Sequence, residues 1–517
     1  MPGGKYPPKA WRSPSPPTPL PRWGEGSGVF LELQLFEFHV ADSSGDFQRK
    51  FFVTTPEAGL ERRLGTLGAT ALVVSNMIGV GIFTTTGFLA GDLGQPKLVI
   101  GIWFVGATLA LAGALCYAEL AVNFPRSGGE YVYLSEAWGP AWGFIDGWIS
   151  FFAGFSAPTA AAALAVSAYL SHFFPFLSSN GSAGLVVPLG FAQLRLGGAQ
   201  WVACGLVAAF TVVNLVNVSR VEKLQILLTG TKLAVIAVFL VLGFSVGNGD
   251  WVHFTEPAAR TATSSLTSQF AVSLIFVFYG YSGWNAAVYV AEEIRSPERT
   301  LPIALVAGTL LVATIYGALN VLYVYANSLD DMKGVVAVGA LAAKSLFGDN
   351  FGGLFSAAMA VSLLATINAM CMIGPRVYYA MARNGAFFAA AARVHPRWNS
   401  PWIAVLAQGA CCCVLIVTGT FESLGYYIGF MLFLFTALSV LALFKFRKRP
   451  GWKQSRWVNF AYPLIPLTYV SMNAWVFVYF ARLRGWEALW SLITVAGAAV
   501  SYSLYFRRRK TASFEEV

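Results

Sequence analysis

The chain has 517 residues, of which 56% are hydrophobic and 12% charged, with a formal net charge of +10 and a mean hydropathy of +0.61. Soluble globular chains carry roughly 25% charged residues, and half that share cannot clothe a water-facing surface of this size. A soluble enzyme, a nucleic-acid binder and a fibrous protein are excluded, and the composition is that of an all-α polytopic membrane protein.

Residues 1–58 come first and differ from the rest. Ser13–Pro21 (SPSPPTPLP) is Pro-rich and cannot be helical. No basic segment precedes an apolar run with a small-residue cleavage site, so a signal peptide is not expected. The segment reads as a disordered tail, with a Pro-rich ligand for a partner domain as the alternative. No methionine occurs between Met1 and Met77, so a start placed too far upstream is a third reading.

From Thr66 onward, apolar runs of about 20 residues mark twelve expected spans. Five cover about 66–91, 98–122, 141–173, 199–218 and 220–246. After a polar loop come five more, about 268–291, 302–327, 351–382, 402–420 and 422–446, and a last pair near 461–481 and 486–506. The expected organisation is two five-span halves, 59–250 and 251–450, followed by 451–517 with two spans and a basic tail. Twelve spans put both termini on one side. With that side in the cytoplasm, 21 Lys and Arg fall on inner segments from Arg62 onward and seven on outer loops, as the positive-inside rule requires. All six cysteines fall inside apolar runs, so no disulfide framework is expected.

Two spans carry more than apolar bulk. The first reads Ser75-Asn76-Met77-Ile78-Gly79-Val80-Gly81-Ile82-Phe83, and the sixth reads Phe278-Tyr279-Gly280-Tyr281-Ser282-Gly283-Trp284-Asn285. Glycine costs about 1 kcal/mol of helix stability relative to alanine, and it lets the backbone leave the helix. Close helix packing is the simpler reading of one such segment. Two of them, in matching positions of two odd-numbered and therefore inverted halves, point to a transporter's midplane site. There, free N–H groups can meet a carboxylate and free C=O groups an ammonium.

With these residues in place, a family resemblance becomes visible. Asn76–Phe83 (NMIGVGIF), Pro125–Tyr131 (PRSGGEY), Gly143–Trp148 (GFIDGW), Gly283–Glu293 (GWNAAVYVAEE) with Ser296–Pro302 (SPERTLP), and Arg376–Gly385 (RVYYAMARNG) resemble the amino acid–polyamine–organocation superfamily. The resemblance covers about residues 60–510. It implies a LeuT-like fold of 5+5 inverted repeats plus two C-terminal helices, and secondary transport of amino acids or related amines. It places the substrate carboxylate on Ile78, Gly79, Val80, Gly81 and Ile82. It places the amino group against carbonyls of Tyr279, Gly280, Tyr281 and Ser282, next to Gly283, with Tyr279 as an aromatic gate. Asn285, after Trp284, and Thr366 with Asn368 of span eight resemble positions of the large-neutral amino acid transporters. Val80 departs from the Ser, Thr or Ala of many members, which removes a hydroxyl contact but leaves backbone donation. Those mammalian relatives are tethered by a cysteine between spans three and four; this chain has none there, so no disulfide-linked heavy chain is expected.

Lys232 lies within span five, where a charge costs several kcal/mol unless it is paired or wetted. The resemblance implies a protonatable group standing where sodium-coupled members hold an ion, hence proton coupling without sodium. Asp146, near the inner start of span three, reads as a cap or loop contact. Arg126, Glu292 and Glu293, with Glu119, Arg295, Glu298 and Arg299, read as an inner salt-bridge gate. No cofactor or metal site is expected: none of the four histidines is mid-span, and the triple Cys411–Cys413 has no histidine nearby.

The leading expectation is a secondary transporter of neutral, mainly apolar amino acids in the cytoplasmic membrane, suited by Val80, Ile82, Tyr279, Tyr281 and Trp284. An amino acid exchanger and a cationic amino acid or polyamine transporter are the nearest alternatives. A retinal-type pump using Lys232 is an alternative of a different class, with no use for two glycine breaks. A channel lacks filter motifs, and a membrane enzyme lacks a catalytic constellation.

Overall fold

The computed structural model describes Arg62 and residues 64–512, apart from 127, 179–183, 189–192, 217, 384–386 and 399. The Pro-rich tail expected over 1–58 lies outside the described residues.

The described chain is helical almost throughout. The first span is two helices, α1 (Thr66–Met77) and α2 (Gly81–Leu93), bent by 42° at the break between them. Gly94, at φ +64°, ends α2 in the left-handed conformation that glycine adopts without strain. Pro96 then opens α3 (Pro96–Asn123), at the helix position where a missing N–H costs nothing. A short α4 (Glu130–Trp138) precedes the third span, which runs from α5 (Pro140–Ile149) through a π-helical turn, Ser150–Ser156, into α6 (Ala157–Leu170). A hairpin of β1 (Leu185–Pro188) and β2 (Gln193–Leu196), with Leu185 opposite Leu196, leads to α7 (Gly198–Val216) and α8 (Val218–Ser245).

The second half repeats the plan. Its first span is α9 (Leu266–Tyr281), a break, and a 3-10 helix over Ala286–Glu293. Then come α10 (Pro297–Ala326), two loop helices α11 (Leu329–Met332) and α12 (Val338–Phe347), α13 (Asp349–Arg383), α14 (Trp402–Thr418) and α15 (Phe421–Phe446). The last elements are α16 (Arg456–Asn459), α17 (Leu464–Leu483) and α18 (Gly485–Ala512). Among the described residues nine helices are long and apolar enough to cross a membrane, and the bent α1–α2 pair makes a tenth. A count of twelve is reached only by adding the shorter apolar helices Thr229–Ser245 and Trp402–Thr418.

Packing sorts the helices into two groups. The broken spans α1, α2 and α9 pack with α3 and α10, while α6, α7, α8, α13 and α14 pack with one another. Helix α15 bridges α9, α4 and α6, and α17 and α18 lie against α3, α9, α5 and α15. The two glycine breaks thus meet inside the first group.

Candidate functional site

The two breaks touch each other backbone to backbone. A Cβ on Gly81 would sit 2.5 Å from the Gly280 Cα, and one on Gly283 would sit 2.8 Å from both the carbonyl carbon and oxygen of Asn76. Gly283 also holds φ +94°, which a side chain strains against. These two glycines are therefore required for the spans to approach each other. At the first break Gly79 N donates to Met77 O at 2.8 Å and Phe83 N to Val80 O at 3.1 Å. Helix α2 starts at Gly81, so N–H groups of its first turn lack intrahelical acceptors. At the second break Ser282 N donates to Tyr279 O at 3.0 Å, and α9 ends at Tyr281, so carbonyls of its last turn lack intrahelical donors.

A small cavity of about 30 Å³ lies at this junction, lined by Asn76, Met77, Gly79, Val80, Gly81, Pro158, Tyr279, Gly280, Ser282, Thr366 and Met370. Seven residues expected from the sequence are brought together there: Gly79, Val80, Gly81, Tyr279, Gly280, Ser282 and Thr366. Ile78, Ile82 and Gly283 are not in the lining. Tyr281 turns away and donates its hydroxyl to Trp103 O at 3.1 Å. Asn285 donates to Glu130 Oε1 at 2.5 Å, and Asn368 accepts from Asn214 Nδ2 at 3.2 Å, so both engage protein partners outside the lining. Trp284 stacks edge-on against Tyr117, with ring centroids 4.7 Å apart. The expected apolar wall of Val80, Ile82, Tyr279, Tyr281 and Trp284 thus contributes only Val80 and Tyr279. The sequence reading missed Pro158 and Met370. Pro158 lies two residues after the π-helical turn, and such turns recur at functional sites.

Tyr316 of α10 is a second omission. Its hydroxyl lies 2.6 Å from Met77 O and 3.0 Å from Gly280 O, one carbonyl from each break. A phenol has a single proton to donate, so this group ties the breaks by choosing between two acceptors.

Lys232 is 2% exposed. Its Nζ donates to Ser75 O at 3.4 Å and to Ile78 O. Both carbonyls belong to the end of α1, where the helix dipole favours a cation. The charge is thus matched by backbone oxygens, and it reaches the first break from the helix group opposite.

A sequence profile of the family described as Amino acid permease matches residues 64–499. The chain belongs to this family. It is a multi-pass membrane protein of LeuT-like all-α fold, its work is amino acid transport, and it is not an enzyme. The permease is 28% identical to the Serine/threonine exchanger SteT of Bacillus subtilis, over 82% of this chain and 92% of the relative. It is 28% identical to the human Large neutral amino acids transporter small subunit 2, over 87% and 81%. To the human b(0,+)-type amino acid transporter 1 it is 27% identical, over 86% and 88%.

Away from the cavity the permease holds two buried carboxylates in dense hydrogen-bond networks. Glu119 of α3 accepts from Arg447 Nε and Nη2 at 2.7 and 2.6 Å, from Trp452 Nε1 at 2.8 Å and from Ser455 N at 3.0 Å. Glu130 of α4 accepts from the Tyr117 hydroxyl at 3.0 Å, from Asn285, and from the Tyr289 hydroxyl at 2.5 Å. The charged groups expected to form one inner gate are distributed over several contacts. Arg126 meets Glu136 at 2.7 Å, Glu298 meets Lys453 at 2.5 Å, and Glu119 belongs to Arg447. Glu293 contributes its backbone: Leu64 N donates to Glu293 O at 2.9 Å and Arg295 N to Leu64 O at 2.8 Å. Glu292 lies beside it in the same 3-10 helix. Asp146 is buried within α5.

Proposed function

We propose that the permease moves neutral amino acids across the cytoplasmic membrane by alternating access, with the substrate held between the two breaks. The observation that carries this reading is that both breaks line one cavity with no charged side chain in its wall. The substrate carboxylate meets free N–H groups at the start of α2, within Ile78–Ile82, where the half-helix dipole favours an anion. The ammonium meets carbonyls at the end of α9, within Tyr279–Ser282, where the dipole has the opposite sign. Tyr279 closes the cavity as the aromatic gate. The printed names of two relatives, one for serine and threonine and one for large neutral amino acids, support a neutral substrate.

Lys232 is the coupling group in this reading. Burial penalises its charged form, while the α1 carbonyls stabilise it, and rocking of α1 changes that balance. A proton is then loaded on one side and released on the other, and sodium has no part. The Lys and Arg distribution supports both termini in the cytoplasm. The absence of a cysteine between the third and fourth spans supports function without a disulfide-linked heavy chain.

Proteoliposomes containing the permease should accumulate a labelled neutral amino acid under an inward proton gradient without sodium. Lys232→Ala should stop that accumulation while exchange stays measurable. Sodium-dependent uptake, or full proton-driven accumulation by the variant, contradicts the coupling. A second reading, obligatory exchange with Lys232 as a fixed charge, is favoured by the exchanger among the relatives. It predicts uptake only when the vesicles are preloaded with amino acid.

A further inference from the structure

Among the buried polar side-chain atoms that lack a hydrogen-bond partner among the described residues, two belong to residues of the cavity wall: the Tyr279 hydroxyl and Thr366 Oγ1. Tyr279 is 4% exposed and Thr366 9%. Thr366 is the more telling. A threonine inside a helix ordinarily turns its hydroxyl back to the carbonyl four residues earlier. Thr159, Thr211 and Thr309 each do so here at 2.7 Å. Thr366, in the middle of α13, does not, nor does Thr85 of α2, which lies outside the cavity lining. A buried hydroxyl left unpaired is costly, and two at one cavity mark a wall built to be completed by a hydrogen-bonding ligand. Around them the wall offers apolar side chains from Met77, Val80, Pro158 and Met370, with Asn76 and Ser282 at the breaks themselves.

We infer that the permease selects amino acids whose side chain carries a hydroxyl, threonine and serine type, over aliphatic side chains of the same shape. The inference rests on the cavity being the amino acid site and narrows the neutral class proposed above. The substrate's backbone groups engage the breaks, and its side chain extends between α9 and α13, where its hydroxyl completes the pairing of Tyr279 and Thr366. Threonine and valine have nearly the same shape, so discrimination between them reports this pairing and not cavity size. A site with polar groups waiting for a partner rejects the analogue that lacks it, because those groups stay unpaired.

The test is competition in proteoliposomes, with labelled alanine as the reference substrate and threonine or valine as the competitor. Threonine should compete at least about tenfold more strongly than valine. In Thr366→Val and in Tyr279→Phe that ratio should fall toward one, the direct mark of the lost hydroxyl. Equal or valine-favouring competition in the native permease overturns the selectivity and leaves the neutral amino acid reading standing. An unchanged ratio in both variants also overturns it. Absence of saturable uptake of all three amino acids overturns both readings.

Discussion

At the scale of single residues, the backbone contact between the breaks leaves no room for a side chain at Gly283. Gly283→Ala combines a Cβ lodged against Asn76 with a left-handed φ, and transport should fall by at least about tenfold. Uptake normalised to the amount of membrane-inserted protein checks this. Glu119 makes a different prediction. Its side chain is 0% exposed and that of Arg447 is 6%, so removing one partner strands a buried charge. Glu119→Gln should cost about 3–5 kcal/mol, visible as a lowered midpoint in thermal unfolding of the purified permease. Residue-level legibility in the sequence was uneven for a geometric reason. Residues two apart on a helix do not share a face, whereas residues four apart do. Thr366 and Met370 therefore line the cavity together, and Asn368, matched by family motif alone, faces Asn214.

At the scale of elements, the broken spans were legible because only glycine tolerates the approach that the break demands, and glycine is visible in any sequence. Tyr316 and Pro158 were not, since one tyrosine or proline in an apolar helix carries no local sign of what it meets. The loop helices α4, α11 and α12 also escaped. They are too short to give a membrane-length run, and α12 spans only 10 residues. A further element-scale feature is the parallel bridge between Leu64 and Ile294, which joins the start of α1 to the end of the 3-10 helix. These segments should move as one when the pathway opens. Leu64→Pro removes the N–H that donates to Glu293 O. A cysteine introduced at Thr66 should then react several-fold faster with a thiol reagent than it does with Leu64 intact, and an equal rate contradicts the tie.

At the scale of the whole molecule, the polytopic all-α fold was legible in the hydropathy and its LeuT-like plan in the family motifs, whereas the neighbours of each span were not. The grouping of α1, α2, α3, α9 and α10 apart from α6, α7, α8, α13 and α14 depends on tertiary packing, which periodicity does not encode. The family match begins at residue 64, so a chain starting at Ala58 should insert and transport as the full one does, measured by uptake at equal expression. The central claim is that an amino acid binds where the two breaks meet. Its most direct test is saturable binding of a labelled neutral amino acid to the purified permease, native and with Gly81→Leu, using Gly101→Leu as the control. A Cβ at Gly101 meets nothing within 4 Å, whereas one at Gly81 meets Gly280. The account predicts binding by the native protein and by Gly101→Leu, and none by Gly81→Leu that is still folded. Native affinity in Gly81→Leu would contradict it.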